Sequence, residues 1–247
     1  MCLRTVRSAA RVRSSPPSRD CLGKLEDMQT RCVCFDLGGV LVRIAHDWEA
    51  GCRAAGLPVR GASAGSAAGR VRGEFSHRFG LGRISYDEFC EGQAAASDNL
   101  YSAEEYRRIH DAWTMQEYEG VFELVNELHQ RDLATACLSN TNDSHWRRLR
   151  HLPGTRALPT TPEYPSVLLL QHAHASHLLG LSKPDPEIFR AFERATEFSA
   201  EQILYFDDAI ANVEAARAVG WRAERVDPRS ETVPQLRAIL KSYRVLE

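Results

Sequence analysis

The chain has 247 residues, 43% of them hydrophobic and 26% charged. That length carries one large domain or a domain with an insertion, and the apolar fraction suffices for a substantial core. With 31 basic against 33 acidic side chains the formal charge is −2, which gives no global attraction to nucleic acid, and no apolar run reaches the roughly 18 residues of a membrane-spanning helix.

Residues 1–29 stand apart. Arg4, Arg7, Arg11, Arg13 and Arg19 all precede the first acid, Asp20, and Ser14-Ser15-Pro16-Pro17-Ser18 signals coil. This leader reads as a disordered tail, or as an over-long start with Met28 the natural first residue. The alternative is an organellar transit peptide, whose composition is also rich in Arg and Ser and poor in acids. The seven cysteines are scattered and form no CxxC pair. They are expected to be reduced thiols in a cytoplasmic protein, not a disulfide framework or a zinc site.

The run Cys32-Val33-Cys34-Phe35 is short, apolar and β-rich, so it reads as a buried strand. Asp36 follows at once, then Leu37, a Gly38-Gly39 turn and a second apolar run, Val40-Leu41-Val42. A carboxylate is thereby held at the carboxyl end of a strand, where open α/β sheets bind ligands. It is costly there unless a cation or donors compensate it. Helical patterning follows. Asp47 to Ala55 reads as a helix and Gly61 to Gly69 as a permissive loop. Ser85-Tyr86-Asp87-Glu88 and Ser102-Ala103-Glu104-Glu105 are capping boxes. Residues 45–118 are expected to form an all-helical insertion between the first two strands of the core, and residues 30–44 with 119–247 the core itself.

Helical spacing of Val121, Leu124, Val125 and Leu128 gives way to a strand from Leu133 to Leu138. Asn142, Asp143 or Ser144 can cap the next helix. Residues 150–166, with four prolines, read as a loop, Val167 to Leu170 as a strand, and Pro186 to about Glu197 as a helix. Ile203 to Phe206 is a strand, Ile210 to Val219 a helix stopped by Gly220, Trp221 to Val226 a strand and Val233 to Tyr243 a helix. This alternation predicts an α/β fold, a parallel sheet with helices on both faces.

Ser139-Asn140-Thr141-Asn142, Lys183-Pro184 and Asp207-Asp208 all follow strands or lie in strand-to-helix loops, so a parallel sheet brings them to one edge with Asp36. Alone, each is ordinary turn, cap or surface chemistry. Together they are what phosphoryl transfer through an aspartate needs. Asp36 would be the nucleophile. Asp36, Asp208 and the Gly38 carbonyl offer hard oxygens to Mg²⁺. Lys183 would neutralise phosphoryl charge, and the Ser139 hydroxyl with nearby backbone N–H groups would hold its oxygens.

The sequence resembles the haloacid dehalogenase-like hydrolases over residues 31–228. The motifs that carry the resemblance are Phe35-Asp36-Leu37-Gly38-Gly39-Val40-Leu41, Leu138-Ser139-Asn140-Thr141, Lys183-Pro184-Asp185-Pro186 and Phe206-Asp207-Asp208. Within that family it is most similar to the α-D-glucose-1-phosphatase type and to the N-terminal phosphatase domain of soluble epoxide hydrolase. Gly82-Arg83-Ile84-Ser85, Pro162-Glu163-Tyr164-Pro165 and Asp207-Asp208-Ala209-Ile210-Ala211-Asn212 support this. The resemblance implies a Rossmann-like core with the helical block as a small cap. It implies an aspartyl-phosphate intermediate on Asp36, Mg²⁺ bound by Asp36, Gly38 and Asp208, and Asp207 behind them orienting Lys183 or a metal-bound water. Ser139, Asn140 and Lys183 would contact the phosphoryl group of a small phosphate ester, expected to be a sugar phosphate.

Most phosphatases of the family carry a second Asp two residues after the nucleophile; here that position is Gly38. General acid–base help is worth roughly 10²–10⁴-fold, so its loss predicts a slow phosphatase, one restricted to good leaving groups such as an anomeric phosphate, or another reaction. Two alternatives follow from the same residue: a metal-free 2-haloacid dehalogenase, or a non-catalytic binding protein on this fold. Trp113, in the insertion, is a candidate pocket residue. His172, His174 and His177 read as part of the connection before Lys183, and Arg147, Arg148 and Arg150 as a solvated helix face. No nucleic-acid or membrane partner is expected, and the oligomeric state is not set by the sequence.

Overall fold

The computed structural model describes residues 29–60, 67–153 and 161–247. The leader call therefore lies outside the described residues, as do most of the Gly61–Gly69 segment and residues 154–160 of the loop after the first core crossover.

Five parallel strands form the central sheet: β1 (Cys32–Phe35), β4 (Ala134–Ser139), β5 (His172–Ala175), β6 (Ile203–Asp207) and β7 (Arg222–Arg225), in the order β5-β4-β1-β6-β7. Alternation along β1 assigns its two faces. Val33 and Phe35 join one apolar cluster, with helix α5 (Val121–His129), α6 (Asp143–Leu149) and α11 (Thr232–Ser242). Cys32 and Cys34 join the other, with α9 (Pro186–Thr196) and α10 (Ile210–Ala218). Both faces are covered, which is why β1 and β6 read as unbroken apolar runs. The strand order reverses beside β1, so the carboxyl ends of β1 and β6 flank the crevice where such sheets bind ligands.

Between β1 and β4 the chain makes a separate layer: β2 (Val42–Ile44), helices α1 (Trp48–Ala54), α2 (Ala67–Gly80), α3 (Tyr86–Ala95) and α4 (Ala103–Asp111), and β3 (Thr114–Glu117). The four helices gather around their own apolar cluster, which includes Cys52, Phe79, Phe89, Tyr106 and Ile109. Both predicted capping boxes form, at Ser85 with Glu88 and at Ser102 with Glu105.

Three expectations need correction. The insertion is not all-helical, because β2 and β3 pair antiparallel where it leaves the core. Val167 to Leu170 is not a strand: helix α7 spans Pro165–Leu169 with proline in its first turn, a position proline favours. A four-residue apolar run has no period with which to tell the two states apart. The fifth strand is instead β5, where His172 and His174 were expected to be connection. It is a sheet edge and only partly buried, so an apolar sequence is not required there.

Among the described residues no helix is long and apolar enough to cross a membrane. Five cysteines, Cys32, Cys34, Cys52, Cys90 and Cys137, are free and buried. Burial pushes the Cys32 and Cys137 thiols up to about 12, so they pack as small apolar groups.

Candidate active site

Strand β1 ends where Asp36 begins, and a tight turn holds the carboxylate in place. Its Oδ1 accepts the Leu37 N–H at 2.8 Å and lies 3.1 Å from Lys183 Nζ. The ammonium comes from the loop before α9 and is fully buried. It also donates to Asp207 Oδ2 and to the Tyr205 hydroxyl, each at 2.7 Å, so all three of its protons are matched. The Lys183–Pro184 peptide bond is cis.

Asp207, the last residue of β6, is enclosed. Oδ1 accepts the Ala209 N–H at 2.8 Å and Asn212 Nδ2 at 3.0 Å. Oδ2 accepts from Lys183 and from the Tyr205 hydroxyl. Both oxygens are therefore matched by protein donors, and Asp207 sits behind the site fixing Lys183. Asp208, next in sequence, faces Gly39. That glycine has φ +78°, and a Cβ built on it would lie 2.7 Å from Asp208 Oδ2. Glycine here serves both a left-handed turn and a close approach.

Carboxylate oxygens of Asp36, Asp207 and Asp208 all lie within 4.8 Å of one another. Three carboxylates thus share one lysine. Burial raises the Asp36 carboxyl, Lys183 opposes this, and the charges of Asp207 and Asp208 add to it, leaving it pushed up to about 6. Burial and Asp207 raise Asp208 as well. Burial works against the Lys183 ammonium, but Asp36 and Asp207 outweigh it and hold its pKa above the ordinary value. The uncompensated charge lies on Asp36 and Asp208. With Gly38 lining the same cavity, that carboxylate set is hard oxygen throughout, and it fits a divalent cation.

Ser139 ends β4 and, with Asn140 and Asn142, lines the same cavity of about 500 Å³ as Asp36, Gly38 and Asp208. The Asn140 side chain, expected at the phosphoryl group, is engaged with the lysine loop. Its Nδ2 donates to the Lys183 carbonyl at 2.8 Å and its Oδ1 accepts the Lys183 N–H at 2.9 Å. Two reciprocal bonds to one residue make it a brace for the lysine loop.

Trp113 does line the cavity. Its ring packs over Gly51 of α1, where a Cβ would come within 2.7 Å of it. The histidine run does not line it. His172 packs edge-on against Phe198 and His174 against Phe192, while His177 lies beside Trp146. The arginine face is only partly solvated. Arg147 pairs with Asp143, but Arg148 binds Glu163 through two nitrogens at 2.8 and 2.9 Å. It also donates to the carbonyls of Asp111 and Thr114, tying α6 to the end of the insertion.

Several site residues escaped the sequence reading. Tyr205 looks like one more apolar strand position. Asn212 stands five residues after Asp207, a spacing that puts it one helical turn from the strand end, and this was the available signal. His110 of α4 and His145 of α6 stack at 3.9 Å between ring centroids, and nothing local links residues 35 apart.

A sequence profile of the haloacid dehalogenase-like hydrolases matches residues 30–220. A phosphatase of Mycobacterium tuberculosis is 40% identical over 222 residues, covering 83% of this chain and 91% of that protein. Acyl-CoA dehydrogenase family member 10 of mouse is 24% identical over 85% of this chain, which spans only 19% of that protein. Among solved structures, a HAD family enzyme of Bacteroides thetaiotaomicron in complex with magnesium and inorganic phosphate superposes with a TM-score of 0.63 at 20% identity, covering 81% of this chain and 96% of that one. The match extends across β1, β4, β5 and β6 and through every residue of the acid–lysine cluster, and on that ground the chain belongs to the haloacid dehalogenase-like hydrolases.

Proposed function

We propose that the chain is a Mg²⁺-dependent phosphatase that hydrolyses a small phosphomonoester through an aspartyl phosphate on Asp36. The observation that carries this is the cluster of buried Asp36 and Asp207 with half-buried Asp208 beside one fully buried lysine, Lys183. Oδ1 of Asp36 is engaged by Leu37 and Lys183, which leaves Oδ2 to attack phosphorus. The P–O ester bond breaks as the new O–P bond forms, and the organic group leaves with the electron pair. Water then attacks the aspartyl phosphate at phosphorus, releasing phosphate and restoring the carboxylate. Lys183 stabilises charge on the phosphoryl oxygens, and Ser139 donates to one of them. Mg²⁺, when bound by Asp36, Asp208 and the Gly38 carbonyl, supplies the positive charge that lets two anions approach. Asp207 holds Lys183 in position, and Asn140 braces its backbone. Residues 45–118 act as a cap over the cavity.

The similarity to a mycobacterial phosphatase and to a magnesium- and phosphate-bound fold relative supports this reading. A metal-free dehalogenase is disfavoured by the charge of Asp208, which shares the single lysine with Asp36 and Asp207. Resemblance alone suggests a sugar phosphate; the walls of the cavity favour another organic group. Asp36→Asn and chelation of divalent metal should each abolish phosphate release from an ester panel. Turnover surviving in Asp36→Asn ends this assignment.

A further inference from the structure

The insertion side of the cavity is a wall of rings: Trp48 from α1, Phe79 from α2, Phe89 from α3, Tyr106 from α4, and Trp113. They hold one another. Phe79 and Phe89 stack with centroids 4.7 Å apart, Trp48 meets Tyr106 at 5.4 Å, and Trp113 is seated on Gly51. Such a wall offers offset and edge-on contacts to a planar ring.

Most of the polar side chains set among these rings already have partners within the protein. The Asn142 amide lies 3.1 Å from His110 Nε2 and 3.4 Å from His145 Nδ1, while its Oδ1 accepts the His145 N–H. His145 Nε2 bonds the His110 carbonyl at 2.7 Å. Gln93 Nε2 donates to the Arg72 carbonyl and to Ser76 Oγ, and the Ser76 hydroxyl donates to that same carbonyl. Thr114 Oγ1 accepts from Arg148, and the Tyr106 hydroxyl donates to Ser97. A sugar carries several hydroxyls, each of which loses water on burial and needs a partner. Among the described residues, many of the polar groups on this wall are already engaged. A ring needs none.

A second observation points the same way and is independent of the walls. Gly38 itself carries no proton donor, and a Cβ at that position would have Ile44 carbons as its nearest neighbours, at 3.3 Å. An unassisted departure favours an alcohol that is a stable anion. A phenol ionises near about 10, far below an aliphatic alcohol.

We infer that the substrate is a compact aryl phosphomonoester, its ring held against Trp48, Phe89 and Trp113; this deepens the phosphatase reading and rests on it. Asp36 takes the phosphoryl group, the aryl–O–P bond breaks towards oxygen, and the phenolate leaves as an anion that takes a proton from water. Hydrolysis of the aspartyl phosphate completes the cycle, so ester and water give a phenol and phosphate.

The test separates ring recognition from leaving-group chemistry. With the full chain and Mg²⁺, kcat/KM is measured for phenyl phosphate, 2-phenylethyl phosphate, glucose 1-phosphate and glucose 6-phosphate. Phenyl phosphate should exceed glucose 6-phosphate by about 100-fold or more. 2-Phenylethyl phosphate keeps the ring but not the phenolic leaving group, so it should retain a low KM with a reduced kcat. Trp113→Ala should raise KM about 10-fold for both ring esters and by clearly less for the glucose esters. Either glucose ester matching phenyl phosphate overturns the inference, as does a Trp113→Ala effect equal on all four. Binding of benzylphosphonate and methylphosphonate with Mg²⁺, followed by calorimetry, distinguishes the two levels of the claim. Tighter, Trp113-dependent binding of benzylphosphonate without any ester hydrolysis upholds the aromatic ligand and sinks the phosphatase. Equal binding of both phosphonates sinks the aromatic ligand, whatever the turnover.

Discussion

Replacing Gly39 by alanine strains the backbone and crowds Asp208, the proposed metal ligand, at once. At φ +78° an L-residue costs about 1–2 kcal/mol. The new Cβ would also stand 2.7 Å from Asp208 Oδ2, 2.9 Å from its Cγ and 3.2 Å from its Cβ. Carbon and oxygen in ordinary contact sit about 3.3 Å apart or more, so the carboxylate must retreat by roughly half an ångström. Rotating its tip does not suffice, because Cγ and Cβ are crowded too. Mg²⁺ demands near-octahedral geometry at about 2.0–2.1 Å, so affinity should fall about 10-fold or more. Thermal melting of the metal-free variant should drop by about 2–8 °C, given about 2–4 °C per kcal/mol for a chain of this size. Titration calorimetry with Mg²⁺ reads the second effect. A variant that melts lower yet binds Mg²⁺ with unchanged affinity would refute the placing of Asp208 at the metal. One that melts with the parent would refute the steric argument itself.

Three further outcomes follow from the same cluster. Lys183→Met leaves buried carboxylates without their cation, which should cost about 3–5 kcal/mol in urea unfolding; recovery near pH 5 is expected, because Asp36 can then protonate, and an unchanged midpoint at pH 7 would contradict the reading. In the metal-free protein the Asp36 carboxyl is raised from 3.8 to about 6. The folded state therefore holds more protons than the unfolded one between those values, and stability should fall by up to about 3 kcal/mol as pH rises from about 4 to about 6, then level. Mg²⁺ binding should run the opposite way, weakening below about pH 6; melting curves against pH with and without Mg²⁺ test both signs. A Cβ at Gly38 has Ile44 as its nearest neighbour, and Gly38→Asp paired with Ile44→Val should speed hydrolysis of alkyl phosphates about 10-fold or more by supplying a proton donor; equal rates with the parent would count against leaving-group departure as the limiting step.

The core was legible where sequence patterns are unambiguous. β1 and β6 are buried on both faces and end in acids, and the capping boxes at Ser85 and Ser102 name their own partners three residues on. Asp36, Lys183, Asp207 and Asp208 could be brought together from topology alone, since a parallel sheet sends every such loop to one edge. What failed was what tertiary contact decides. Val167 to Leu170 has strand composition, yet Pro165 and its packing make it a helix. His172 and His174 lack strand composition, yet an edge position accepts them. Asn140 was rightly placed in the loop, but only its reciprocal bonds to Lys183 assign its work. Tyr205 is indistinguishable in sequence from a core aromatic until Lys183 and Asp207 are seen at its hydroxyl.

Strands β2 and β3 make the helical layer a detachable piece. The chain departs at Val42–Ile44 and returns at Thr114–Glu117, side by side, with neighbouring strands about 4.8 Å apart. Departure and return points so close can be joined by a tight turn, or by a different group of helices, without disturbing β1 or the acids beyond it. Natural variation can therefore exchange the ring-lined wall wholesale while the lysine and its three carboxylates stay where they are, so that new specificities arise on inherited chemistry.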